Sequence, residues 1–189
     1  MRLFLGVDQS LRKTGVVVLS EAGDVVLRRL VQPGDLRGVA RLAFLRNELM
    51  GVLTEYRPVS AALEGYSYDS TGKVFELGEA GGTVKMSFWD AKVPFHVVAP
   101  SALKKFVANN HQASKDVMLR KTLEKWGVDF QGEDDLCDAH GLSRILRAID
   151  KKDSVYRNEL EVIHELTAPS EPTSRVSKAA RSSKTRMSV

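Results

Sequence analysis

Two short apolar segments that each end on a carboxylate constrain this chain more than any other feature. Residues 3–7 (LFLGV) run directly into Asp8, and residues 59–63 (VSAAL) run into Glu64. Short runs of this kind, bounded by polar or turn residues, read as buried strands. An acid closing such a strand is expensive to bury unless its charge is compensated. Two of them predict a sheet whose strand ends converge on a site.

The rest of the pattern says what kind of sheet. The first segment, residues 2–8, is followed by a polar turn and by 14–20 (TGVVVLS), then by a tight Glu21-Ala22-Gly23-Asp24 connection and 25–31 (VVLRRLV). Three short-linked strands form an antiparallel meander. Pro33-Gly34-Asp35 breaks it, with Asp35 the expected N-cap of a long helix. Leu42, Leu45, Leu49, Val52 and Tyr56 then recur at helical spacing along one face. Pro58 ends that helix, and a fourth strand closes on Glu64. A helix over about 73–91, a strand over 94–99, helices over about 102–108 and 114–126 and a last helix over 134–150 complete the order. This order matches an α/β fold of RNase H-like type, with a five-stranded mixed sheet of three antiparallel then two parallel strands flanked by helices. Residues 1–165 are expected to form the domain, and 166–189, rich in Ser, Thr, Lys and Arg without apolar periodicity, a disordered basic tail.

The formal charge of +4 is unevenly spread. Residues 166–189 carry five cations and one acid, so residues 1–165 are neutral overall. Within them, 101–125 hold six cations and two acids, whereas 126–140 hold five acids and no Lys or Arg. A basic segment beside an acidic one suits a protein that holds metal ions against a polyanion, although ordinary surface variation produces such contrasts too. The single cysteine, Cys137, excludes an internal disulfide and reads as a small buried side chain in a reducing compartment. Met1-Arg2 leads straight into the first strand, so neither a secretory leader nor a membrane span is expected.

Asp135 and Asp138 lie three apart on the last helix and point from one face. If the strands ending in Asp8 and Glu64 are neighbours and this helix covers their edge, four carboxylates meet. They remain ionised together only if cations hold them. Oxygen-only ligands favour Mg²⁺, with Mn²⁺ as substitute, over zinc. Two such ions about 3.5–4 Å apart are a standard device for in-line hydrolysis of a phosphodiester. Taken singly, each acid has a plainer reading: Asp8 as a turn-initiating cap, Glu64 as an edge charge, Asp134 and Asp135 as acids favoured at a helix N-terminus.

The motifs LGVDQSLRKTGVVVL, ALEGYSY, LGEAGG, PSALKKFVANNHQASK and DDLCDAHGL together resemble the RuvC family of Holliday-junction resolvases, its phage-type branch in particular, over residues 1 to about 150. The resemblance implies a crossover junction endodeoxyribonuclease acting as a homodimer on branched DNA in the cytoplasm (of a bacterial host, for a phage protein), with no small-molecule cofactor. It implies that Asp8, Glu64, Asp135 and Asp138 bind two metal ions. It also implies that Lys115 serves the cleavage step, and that Lys104, Lys105 and Lys115 face the DNA. Tyr66 or Tyr68 takes the place of a family aromatic that stacks at the junction, or else anchors its loop, and His111 in the basic loop is a further DNA-facing candidate. The chain departs from the family in having Gln9-Ser10 rather than Pro-Gly after the first acid, and Asn109 and His111 where glycines are usual. His140, two residues after Asp138, should face away from it as a packed or surface histidine, and His96 lies mid-strand.

Three other functions suit parts of the pattern. An RNase H-like nuclease for flaps or RNA-containing substrates uses the same acids. A phosphate-transferring ATPase of the actin type needs two such domains, more than 189 residues supply. A non-catalytic junction binder has no use for so repulsive a cluster.

Overall fold

A computed structural model describes residues 1–66, 73–154 and 156–168. Strands β1 (Leu3–Asp8), β2 (Thr14–Ser20) and β3 (Val25–Val31) come first. Helix α1 (Gly38–Tyr56), strand β4 (Ser60–Glu64), helix α2 (Val74–Asp90) and strand β5 (Phe95–Val98) follow. Helices α3 (Pro100–Ala108), α4 (Lys115–Trp126), α5 (Asp134–Lys151) and α6 (Arg157–Thr167) close the chain. The strands make one sheet in the order β3-β2-β1-β4-β5. β1 pairs antiparallel with β2 and β2 with β3, while β1 and β4 pair in parallel, as do β4 and β5. The five-stranded mixed sheet expected from the element order is therefore present.

Successive strand side chains point to opposite faces, and that alternation sorts the core into two layers. Leu3, Leu5, Val7, Val16, Val18, Ala61 and Leu63 face α1 and α2. Phe4, Val17, Leu19 and Ala62 face the other way, towards α3, α4 and α5. On α1 the apolar face expected from the periodicity buries Leu45, Leu49 and Val52, with Leu42 and Tyr56 half-buried at its margins. Helix α5 lies directly on β1 and β2 because two glycines let it. A Cβ on Gly6 would sit 1.9 Å from the Ala139 carbonyl oxygen, and one on Gly15 would sit 2.1 Å from that of Asp135.

Two expectations change. Asp35 does not cap α1: the Leu36 N–H closes a turn onto the Pro33 carbonyl at 3.2 Å, and the helix begins only at Gly38. Arg37 occupies the N-cap with no side-chain bond to the helix's free N–H groups, so the turn has consumed the residues that Asp35 needed to reach the helix. Helix α6 also went unforeseen. Its buried Glu159 and Val162 and half-buried Ile163 and Leu166 follow helical spacing, and they pack where charged neighbours obscured the period. Cys137 and His140 are fully buried, as a packed residue should be. Tyr68 and residues 169–189, nearly all of the basic tail, lie outside the described residues. Among the described residues no helix is long and apolar enough to cross a membrane.

Candidate active site

Parallel pairing sets Val7 beside Leu63, so the next residues, Asp8 and Glu64, finish neighbouring strands side by side. The glycine-bedded N-terminal half of α5 brings Asp138 over the same edge. One carboxylate oxygen from each of Asp8, Glu64 and Asp138 lies within 4.8 Å of the others. Burial is the largest influence on all three. It raises Asp8 well above the ordinary carboxylate range, assisted by the charge of Glu64. Burial, with the charge of Asp138, pushes Glu64 up to about 7. Asp138 also rises to about 7, through burial and then the charges of Asp8 and Asp134. Three acids this close hold protons unless a cation replaces them. Such a donor set, all oxygen and mutually repulsive, fits a divalent metal ion.

Asp135 is placed differently. Its carboxylate pairs with Lys13 Nζ at 3.1 Å, and the same ammonium takes Glu133 at 2.7 Å. Lys13 is set by the β1–β2 turn, where Ser10 Oγ accepts its N–H at 3.0 Å. Asp135 still stands near enough for its charge to push up Asp8, Glu64 and Asp138, but it belongs to a neighbouring ion pair rather than to the cluster of three. Lys13 was read only as part of a turn. A cation five residues beyond Asp8, opposite an acidic run at 133–135, was the available signal.

The basic residues of α3 and α4 divide. Lys104 lies close enough to hold Glu64 and Asp138 partly down by its charge. Lys105 instead pairs with Glu161 of α6 at 2.8 Å. Lys115, at the first turn of α4 and with a side chain 78% exposed, pairs with Asp134. His111 is exposed in the α3–α4 turn. Tyr66 lies against α2: its hydroxyl donates to the Gly78 carbonyl at 3.3 Å, and Gly81 leaves room for the ring. That geometry anchors the β4–α2 connection, although the ring keeps an exposed edge under Lys85.

His140 and Cys137, both buried outside the cluster, are packed residues. His140 Nε2 accepts from Arg144 Nε at 3.1 Å, and its ring packs edge-on against Trp126 and beside Phe130. Burial, then the Arg144 charge, pushes it down to about 3, so it stays neutral. Cys137 meets Thr122 Oγ1 at 3.2 Å, and burial pushes its thiol up to about 12. His96 is half-buried in β5.

The raised acids make stability depend on pH. The protons on Glu64 and Asp138 stabilise the metal-free protein fully below about pH 4, and that contribution is lost as pH rises through about 7. His140 works oppositely, contributing stability that is present above about pH 6.5 and lost as pH falls towards 3. The imidazole behaves alike in the metal-free and metal-loaded protein, so its effect cancels between them. Thermal melts should therefore show Mg²⁺ raising the melting temperature distinctly more at pH 8 than at pH 5. An equal increment at both pH values would mean that the metal does not meet these acids.

Known proteins are similar to this chain in sequence and in fold. A family model described as crossover junction endodeoxyribonuclease RuvC matches residues 4–139. The RuvC of Anaeromyxobacter sp. (strain K) is 33% identical over 122 residues, which span 62% of this chain and 66% of that protein. The chain thus matches just under two thirds of the length of that relative. The RuvC of Rhizobium johnstonii is 28% identical over 162 residues, covering 77% of this chain and 95% of the relative. Among solved structures, Thermus thermophilus RuvC in complex with Holliday junction substrate superposes with a TM-score of 0.67 at 19% identity, over 76% of this chain and 91% of that one. The yeast mitochondrial Holliday junction resolvase gives 0.53 at 14%, over 85% and 82%. At these identities the structural likeness is one of fold. The matched model takes in β1 to the first turns of α5, and with them all three clustered acids; the chain belongs to the RuvC family.

Proposed function

We propose that this protein is a structure-selective endodeoxyribonuclease that resolves four-way and other branched DNA by two-metal-ion hydrolysis, leaving 5′-phosphate and 3′-hydroxyl ends. The observation that carries the reading is the cluster of Asp8, Glu64 and Asp138, whose carboxylate oxygens converge within 4.8 Å at one end of the sheet. Relatives named crossover junction endodeoxyribonuclease and a homologous fold bound to a Holliday junction support the choice of substrate. Asp8, Glu64 and Asp138 are the proposed holders of Mg²⁺, with Mn²⁺ able to substitute. Asp135, paired with Lys13 at 3.1 Å beside the cluster, would be a further metal-holding acid. Divalent ions bound there supply the charge that favours in-line attack of water and departure of the 3′ oxygen.

Lys104 faces this site from α3, and Lys115 guards its rim through Asp134. A second reading, action on flaps or RNA-containing substrates, uses the same acids. The deciding experiment is incubation with labelled four-way, three-way, flap, hybrid and linear duplex substrates, with and without Mg²⁺. Paired incisions in the four-way junction, dependent on the ion, are expected; cutting of the hybrid alone would replace junction resolution with the second reading.

A homodimer matches the two-fold symmetry of a four-way junction, which needs two cuts. An outward face of α2 supports that assembly: Phe75, Met86 and Trp89 are exposed there by 90, 55 and 74%. Exposed apolar side chains gathered on one helix face are the mark of an interaction surface.

Lys115→Ala should lower junction cleavage about tenfold or more, the loss of one charge-assisted contact, with little change in melting temperature because the side chain is mostly exposed. Cleavage at the parental rate would remove Lys115 from the reaction.

A further inference from the structure

We propose that a cleft between the N-terminal ends of α1 and α2 binds a backbone phosphodiester of the DNA on the flank of the carboxylate site; this rests on the nuclease reading above. The cleft has a volume of about 540 Å³, and its charged lining is Arg12, Asp35, Arg37, Arg41, Lys73 and Glu76. Four cations face two carboxylates. Among the described residues no aromatic side chain lines it, and its lining offers charge.

Its position follows from the topology. β1, β3 and β4 run in the same direction, so their carboxyl ends share one edge of the sheet. Arg12 follows β1, Asp35 and Arg37 follow β3, and Lys73 leads into α2 after β4. The cleft thus opens at the edge that carries Asp8 and Glu64, on the α1–α2 side rather than the α5 side. A strand passing over the carboxylates has neighbouring phosphates to place there.

Arg41 makes it a built site. It continues the buried face of Leu45, Leu49 and Val52 one turn towards the helix start, and only 6% of it is exposed. One terminal nitrogen, Nη2, reaches Glu76 Oε2 at 3.2 Å. Its Nε finds no hydrogen-bond partner among the described residues. A buried guanidinium with an unused donor carries a large desolvation cost, and a phosphate oxygen is the ligand its fork fits best. Arg37 is held at the rim by its own loop, its Nη1 donating to the carbonyls of Gly34 at 3.1 Å and Leu36 at 2.9 Å. Arg12 and Lys73 stand exposed at the mouth.

The test uses the full chain with Arg12→Ala and Lys73→Ala combined, since both side chains are exposed and their loss spares the core. Binding of labelled four-way junction and linear duplex is followed in EDTA across a salt titration. Loss of one phosphate contact removes roughly 0.9 from the slope of log affinity against log salt, so the double variant should lose up to about 0.9 on both substrates. Arg157→Ala, another exposed cation, on α6, should leave the slope unchanged. If the parent binds and cuts junctions while the double variant keeps the parental slope, the cleft is not a phosphate site and the nuclease reading stands. A parent that binds no DNA would overturn both.

Discussion

Asp8→Asn is expected to cut junction resolution at least about a thousandfold, roughly 4 kcal/mol of lost transition-state stabilisation, while leaving junction binding near the parental value. Asn keeps the size and hydrogen-bonding shape of the side chain but removes the charge through which Asp8 would hold a cation. Asp8 is 8% exposed and raised by burial and by Glu64 beside it. A charge at this position is disfavoured in the metal-free protein by burial and by Glu64, and the neutral amide relieves that cost. The variant should melt at or above the parental temperature in EDTA and respond less to Mg²⁺. This pairing of lost activity with undiminished stability separates a metal-holding acid from a structural cap, whose loss would lower the melting temperature. Asp138→Asn should behave alike, because its carboxyl is raised by the same burial and by Asp8. Asp135→Asn is expected to differ: it breaks the ion pair with Lys13 at 3.1 Å, so some stability goes with the activity. Retention of substantial cleavage by Asp8→Asn with Mg²⁺ present would sink the metal assignment.

Strand ends and helix faces could be read from the sequence because they are local. The runs into Asp8 and Glu64 and the three-residue spacing of Asp135 and Asp138 announce which side chains share an edge or a face before any fold is known. What the spacing could not reveal is which of the two α5 acids turns inward. That depends on Lys13, 122 residues away in the chain, which takes the Asp135 carboxylate and leaves Asp138 to the cluster. Likewise the lysine-rich segment read as one DNA-facing stretch, yet Lys105 is committed to Glu161 on a helix whose own period was hidden among charges. Arg41 occupies an apolar stripe, where a cation looks like an interruption; only the Glu76 partner and the cleft beyond it give the position a meaning. The glycines that seat α5 were invisible for a simpler reason. A glycine inside a strand ordinarily signals a bulge or a weak spot, and nothing local distinguishes one that admits a helix backbone.

Gly15→Ala is expected to damage both stability and catalysis through that helix. The added Cβ would lie 2.1 Å from the Asp135 carbonyl oxygen and 2.5 Å from its carbon, both backbone atoms of the first turn of α5. A flexible side chain could swing aside, but a helix backbone moves only as a unit, so the N-terminal part of α5 must lift from β2. Overpacking of this severity costs about 3 kcal/mol, or roughly 6–12 °C in melting temperature for a domain of this size. Lifting α5 also carries Asp138 away from Asp8 and Glu64. A displacement of about 1 Å at a reacting centre can lose around a hundredfold in rate, so cleavage should fall further than stability alone explains. The fall should persist at temperatures where the variant is fully folded. Gly51→Ala is the matched control: it sits within α1 with nothing inside 4 Å of the added Cβ, so the same substitution should stabilise by up to about 1 kcal/mol and leave cleavage untouched. If Gly15→Ala melts and cuts like the parent while Gly51→Ala behaves as stated, α5 does not rest on the strand backbone, and the placement of Asp138 must be redrawn.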